Sequence, residues 1–142
     1  MQDIWKEIEV DWQGGGAYLG RSTNGGQVQI GELDGRPGAS PMDLLLMGLA
    51  GCTAIDVAMI LEKKRQNLQD LRVRVRGKRA ADHPKVYVEI EIEYLLWGEG
   101  LDPRAVEHAI QLSEEKYCSA SAMLGKTAEI RHAYKIVETI QE

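Results

Sequence analysis

Hydrophobic and polar residues alternate in short bursts over the first part of the chain, with Ile8, Val10 and Trp12 in one phase and Val28 and Ile30 further on. Gly14-Gly15-Gly16 and Asn24-Gly25-Gly26 interrupt these bursts, so the pattern predicts strands joined by tight turns. Residues 34–40, DGRPGAS, carry no apolar period and predict a loop. The pattern then changes completely. Ser40 stands at an N-cap, Pro41 at the first helical position and Asp43 three residues after the cap, a capping box with Asp in place of Glu. The helix that starts there is apolar on nearly all sides up to the Glu62-Lys63-Lys64-Arg65 run, and a helix without a polar face has to be surrounded by protein. Gly48 and Gly51 leave one flank without side chains, which permits a close backbone approach.

After this central helix, Leu71, Val73 and Val75 alternate with Arg72, Arg74 and Arg76, and Val86, Val88, Ile90 and Ile92 alternate with Tyr87, Glu89, Glu91 and Glu93. Two half-buried strands are predicted, and antiparallel pairing sets arginines opposite glutamates on the solvent face, so the basic stripe reads as the wet side of a hairpin. Asp102-Pro103 signals a second helix start, with Val106, Ala109, Ile110, Ser113 and Tyr117 on one face and an end near Lys116 or Tyr117. A short SASAML segment and Gly125 lead into a last strand, with Ile130, His132, Tyr134 and Ile136 in one phase. The order is that of an α+β domain, with residues 1–142 forming a single unit. A fully apolar helix of this length is hard to enclose within so small a monomer. The economical solution is a homodimer in which the central helices of two subunits share a core.

Composition narrows the functional classes. The chain has 142 residues with 17 Lys+Arg against 22 Asp+Glu, a net charge of −5, which offers no basic excess for nucleic acid or an acidic membrane surface. Two cysteines are too few for a disulfide-rich secreted scaffold, and MQDIWKEIEV lacks the continuous apolar run of a signal peptide, so a cytoplasmic location is expected. Residues 41–61 have the length of a membrane span but contain Asp43 and Asp56, each costing about 2.5–3.5 kcal/mol on insertion scales. A core helix is the better reading, and no membrane role is expected.

Cys52 lies in the middle of the central helix and Cys118 at the end of the second, and neither belongs to a CxxC motif. With His83, His108 and His132 scattered, no metal site is expected. A buried cysteine by itself is a small hydrophobe, whereas two within reach form a redox pair in which a thiolate attacks and the partner resolves the sulfenic acid. Spacing alone leaves both open. Asp56, one turn after Cys52, shares its helix face, and a carboxylate there disfavours a thiolate unless a cation intervenes, so a reactive Cys52 implies an Arg or Lys from another segment. Gly125-Lys126-Thr127 has Ala120 where a phosphate-binding loop needs glycine and leads into a strand, while Gly14-Gly15-Gly16 lacks the strand-to-helix setting of a dinucleotide site. His132, on the apolar face of the last strand, reads as a hydrogen-bonded core residue rather than a catalytic base.

Ser-Pro-Met-Asp-Leu-Leu-Leu at 40–46, Gly-Cys-Thr-Ala-Ile-Asp-Val at 51–57, Glu-Lys-Lys-Arg-Gln at 62–66 and Leu-Ser-Glu-Glu-Lys-Tyr-Cys-Ser at 112–119 together resemble the OsmC/Ohr family, most closely its YhfA-like branch. The resemblance spans nearly the whole chain. It implies an OsmC-like α+β fold, with two long central helices wrapped by antiparallel sheets in an intertwined homodimer. It also implies thiol-dependent reduction of organic hydroperoxides in oxidative or osmotic stress defence, Cys52 attacking the peroxide and Cys118 resolving it. A dithiol such as a lipoylated protein is implied as reductant, and no cofactor. Well-studied branches add an arginine from the first hairpin and a glutamate early in the central helix. Here Met42 stands ten residues before Cys52, where that glutamate is expected, with Asp43 beside it and about 100° out of phase. Arg21 is favoured over Arg36 for the arginine. The expected catalytic set is therefore Cys52, Cys118, Arg21 and Asp43, with Leu45, Leu49 and Met123 as walls of an apolar pocket. The loss of the glutamate also supports a competing expectation, a non-catalytic small-molecule-binding or redox-sensing dimer of the same fold. Sulfurs far apart and walled off would point instead to a structural role for both thiols.

Overall fold

A computed structural model describes residues 4–137, in the order β1 (Ile8–Trp12), β2 (Tyr18–Ser22), β3 (Gln27–Ile30), α1 (Pro41–Lys63), β4 (Asn67–Arg79), β5 (Tyr87–Glu99), α2 (Pro103–Leu112), a π turn (Ser113–Tyr117), α3 (Ser119–Leu124) and β6 (Glu129–Val137). They fall into two compact units, one up to Leu45 and one from Leu46.

The first unit is an antiparallel meander, β1–β2–β3, whose strands meet at pairs such as Val10↔Gly20 and Gly20↔Val28. The glycine signals form the two turns, and every residue of β1 is exposed. Gly31 is required twice over. Its φ is +74°, and a Cβ there would lie 1.9 Å from the Gly16 carbonyl oxygen. The start of α1 is capped reciprocally, the Asp43 amide donating to Ser40 Oγ and the Ser40 amide to Asp43 Oδ2, both at 3.0 Å. The Ser40 amide first, and then the Ser40 side chain, hold the Asp43 carboxyl below its ordinary range.

The second unit carries the sheet β4–β5–β6 and the rest of the helices. On the outer face, Arg74 pairs with Glu93 at 3.7 Å, Arg76 with Glu91 and Lys78 with Glu89 at 3.6 Å, while Arg131 reaches Glu89 at 3.1 Å and Glu91 at 3.0 Å. The basic stripe is thus the charged side of a hairpin, and Arg131 of β6 first, joined by Lys78 at Glu89 and Arg76 at Glu91, holds both carboxyls below their ordinary range. On the inner face Ile90, Ile92, Tyr94 and Leu96 are buried, as are Leu49, Val57, Ile60 and Leu61 of α1 and Val106, Ala109 and Ile110 of α2.

Two expectations need correction. The second sheet is mixed rather than antiparallel: β6 runs parallel to β5, from Glu89↔Glu129 to Trp97↔Val137, because the long crossover through α2 and α3 carries the chain back to the same end. The second long helix is a ten-residue α2 followed by a π turn, in which the Cys118 amide bonds the Ser113 carbonyl five residues back at 2.8 Å. That wider turn resets the helical phase, so Val106, Ala109, Ile110 and Ser113 are buried as expected but Tyr117 is exposed. Within one chain α1 is not surrounded, in line with the difficulty of enclosing so apolar a helix in a small monomer. Leu49, Thr53, Asp56, Val57, Ile60 and Leu61 are buried, while Met47, Ile55 and Met59 are exposed and a Cβ at Gly48 or Gly51 would meet nothing within 4 Å. By length and composition alone α1 could also cross a bilayer.

Candidate functional site

Residues four apart on a helix share a face, so Cys52 and Asp56 of α1 point the same way. They meet Cys118, which the π turn delivers at the start of α3. The two sulfurs and a carboxylate oxygen of Asp56 all lie within 4.8 Å of one another. Both thiols are free, Cys52 half-buried and Cys118 buried. Cys118 caps α3, its sulfur accepting the Ser121 amide at 3.3 Å, and Cys52 stands beside it. Burial first, and then the neighbouring Cys52, pushes the Cys118 thiol above its ordinary range. Cys118 is therefore held in its protonated form.

Asp56 is buried in an otherwise apolar helix, where a carboxylate needs donors. Ser113 supplies one, Oγ donating to Asp56 Oδ2 at 2.9 Å. Among the described residues no Lys or Arg forms an ion pair with Asp56, so the cation expected beside a reactive Cys52 is not among its partners. A closed structural zinc site takes four donors, and this cluster supplies three, one of them held by Ser113.

A second polar group adjoins the thiols. Tyr94 of β5 is buried, and its hydroxyl lies 3.0 Å from His132 Nδ1. His132 Nε2 lies 3.4 Å from the Glu114 carboxylate but makes no hydrogen bond, while Nδ1 bonds the Tyr94 hydroxyl. Burial raises the Tyr94 phenol and lowers the His132 imidazole, Glu114 opposing the latter. His132 is thus the hydrogen-bonded core residue expected from its place in the strand.

The other expected residues stand elsewhere. Arg21, in the first unit, is held by Asp11 of the neighbouring strand. The Asp43 carboxylate is engaged in the helix cap, nine positions before Cys52 and about 13 Å of helical rise from it. Leu49 is fully buried and belongs to the core rather than to a pocket wall, because it falls on the covered side of α1, whereas Leu45 and Met123 are exposed. A concavity of about 630 Å³ lies on the charged sheet around Arg74, Glu91 and Arg131, and no cysteine lines it. Sequence reasoning gave Asp56 only a negative part, although a carboxylate in an apolar helix was itself the signal that it has a partner. Ser113 and Tyr94 carried no such signal, since the first reads as a small helix-face residue and the second as one more strand aromatic.

The family model for OsmC-like proteins matches residues 33–133. Over 131 residues the chain is 37% identical to Protein YhfA of Escherichia coli (strain K12), covering 92% of this chain and 98% of that one. The crystal structure of a hypothetical protein from Aquifex aeolicus VF5 superposes with a TM-score of 0.86 at 35% identity, covering 97% of this chain and 100% of that one. At 14% identity, an organic hydroperoxide resistance protein OsmC from Legionella pneumophila has the same fold, with a TM-score of 0.69 and 95% of this chain and 99% of that one covered. The span matched by the family model takes in both cysteines, Asp56 and Ser113, and the chain belongs to the OsmC-like protein family.

Proposed function

We propose that this protein is a thiol-dependent peroxidase that reduces organic hydroperoxides through Cys52 and Cys118. The observation that carries the reading is the approach of the two sulfurs to within 4.8 Å, with the less buried Cys52 beside a protonated Cys118. In the reaction the Cys52 thiolate attacks the distal oxygen of R–O–O–H. An S–O bond forms as the O–O bond breaks, leaving a sulfenic acid and, after protonation of the leaving oxygen, an alcohol. Cys118 then attacks the Cys52 sulfur, forming the disulfide and releasing water. A disulfide needs the sulfurs at about 2.05 Å, so closure requires rotation of at least one side chain. A dithiol of the lipoylated-protein class returns both cysteines to thiols, and no cofactor takes part.

Family membership supports this reading, as does the hydroperoxide resistance ascribed to the Legionella relative of the same fold. Arg21 and Asp43 remain candidates for orienting the peroxide, each now holding another partner, Asp11 and Ser40. The reading also includes a cytoplasmic homodimer of a single-domain chain, with the bare side of α1 as the surface shared between subunits. A second reading, a redox-sensing or small-molecule-binding dimer, draws on Met42 in place of the glutamate of well-studied branches.

The test is intact mass and free-thiol count of the reduced protein before and after one equivalent of cumene hydroperoxide, with Cys52→Ser alongside. Peroxidase chemistry removes two hydrogens per chain within seconds in the wild type and none in the variant. Unchanged wild-type mass after many minutes refutes it and leaves the second reading.

A further inference from the structure

We propose that Asp56 is the proton shuttle of the thiol pair, a catalytic group that takes the place of a cation beside Cys52. The inference rests on the peroxidase reading above and assigns a residue to its proton transfers. Three acidic groups, Cys52, Cys118 and Asp56, share a space of 4.8 Å in a buried setting. Like charges that close cannot all be ionised, so the cluster holds fewer negative charges than it has sites, and a proton is shared among them. Ser113 donates to Oδ2 and fixes the carboxylate while leaving it further acceptor positions for a thiol proton. The remaining titratable groups facing Asp56 are Tyr94 of β5 and, behind it, His132 of β6 with Glu114 of the π turn. Burial keeps Tyr94 protonated and His132 neutral, so neither supplies the counter-charge.

The shuttle closes the atom balance. The Cys52 thiol proton passes to Asp56, and the thiolate attacks the peroxide. As the O–O bond breaks, Asp56 hands that proton to the departing alkoxide, giving the alcohol and restoring the carboxylate. In the second step Asp56 takes the Cys118 proton, the S–S bond forms as the S–O bond breaks, and the same proton converts the leaving hydroxide to water. The peroxide gains two electrons and the two sulfurs lose them. No charge leaves the buried site, which removes the need for a neighbouring Arg or Lys.

The experiment compares wild type with Asp56→Asn, which keeps an oxygen to accept from Ser113 but cannot carry the proton. Two reactions of the reduced protein are followed by stopped flow from about pH 5 to about pH 9: oxidation by cumene hydroperoxide, and alkylation by monobromobimane, whose bromide leaves without a proton. General acid–base catalysis is worth at least about 100-fold, so oxidation of Asp56→Asn slows by about that factor near neutrality. Alkylation needs the thiolate but no acid for its leaving group, so it slows clearly less than oxidation. A carboxylate that merely repels would give the opposite sign for oxidation, and faster or unchanged oxidation in Asp56→Asn overturns the proposal, as does equal slowing of both reactions. Should the variant not fold, wild-type oxidation in deuterium oxide decides: proton delivery concerted with O–O cleavage gives a normal solvent isotope effect, and its absence refutes the shuttle. A wild type inert to the hydroperoxide sinks the peroxidase reading itself, whereas a reactive wild type with an equally reactive Asp56→Asn sinks the shuttle alone.

Discussion

Ser113→Ala is a direct test of how the site is held together. Ser113 is fully buried and its hydroxyl donates to the buried Asp56 carboxylate at 2.9 Å. A hydrogen bond to a charged acceptor contributes about 1.5–3 kcal/mol, and its loss leaves the carboxylate buried without that donor. At about 2.1 cal/mol/K per residue, a chain of 142 residues has an unfolding entropy of about 0.3 kcal/mol/K, so Tm falls by about 5–10 °C. The protein supplies its own control. Ser121 is also buried, but its hydroxyl oxygen has no hydrogen-bond partner, so Ser121→Ala removes the same atom without breaking a bond and leaves Tm unchanged or higher. The assay is thermal unfolding at neutral pH by circular dichroism and calorimetry, at one protein concentration because self-association shifts Tm. Equal melting of Ser113→Ala and Ser121→Ala would refute the assignment of the Ser113–Asp56 bond as a stabilising element of the site.

The helix cap gives a pH signature. The Asp43 carboxyl titrates lower in the folded chain than its ordinary 3.8, so its contribution is complete above that value and is lost as pH falls through the depressed folded value; Ser40→Ala moves the NMR titration midpoint of Asp43 upward. His132 follows the same sign with a different group. Burial lowers its imidazole below 6.5, so the unfolded chain binds the extra proton first and stability declines as pH drops through the window below 6.5. Tyr94→Phe removes a donor that only the neutral ring can accept, and the His132 titration seen by NMR shifts upward. On the bare side of α1, Ile55→Asp places a charge in the proposed shared surface. Light scattering is expected to give a mass near twice 15.8 kDa for wild type and near 15.8 kDa for the variant, and an unchanged mass refutes that surface.

What the sequence disclosed was what local physics dictates. The Ser40–Asp43 box, the Asp102 cap and the charge pairing of β4 with β5 follow from spacings of three residues or from alternation with period two, and each is present. The parallel β5–β6 pairing was hidden, because alternation fixes which face a residue takes and not which way the strand runs. The π turn was hidden as well, since one extra residue per turn leaves no mark in the composition of Ser-Glu-Glu-Lys-Tyr, yet it sets Ser113 inward and Tyr117 outward. At the site, both cysteines and the shared face of Cys52 and Asp56 were readable from helical spacing. The approach of Cys118 was not, because it depends on a crossover that no spacing rule encodes. Arg21 and Asp43 came from the family likeness, and the partners they hold, Asp11 and Ser40, are local ones.

The near-uniform hydrophobicity of α1 concealed two different faces. At 100° per residue, Thr53, Asp56, Val57 and Ile60 line the side that is buried within the chain, while Gly48, Ile55 and Met59 fall within an arc of about 40° on the side that is bare. Cys52 lies about 40° from Gly48 on the same wheel, at the margin of the bare stripe, which is why it is half-buried although its neighbour Thr53 is fully enclosed. One edge of the thiol therefore faces the polar cluster of Asp56 and Cys118, and the other faces an apolar surface that a second α1 would cover in the proposed homodimer. Covering that stripe would remove water from beside Cys52 and leave only apolar surface for a substrate to meet, a setting suited to an organic peroxide and unfavourable to a free charge. Within such an enclosure a proton handed between Asp56 and sulfur creates no net charge, whereas a thiolate formed by release of its proton to solvent would add a second negative charge to the cluster. The bare stripe and the buried carboxylate thus bear on one physical problem, how a nucleophilic sulfur would form once the proposed homodimer encloses it.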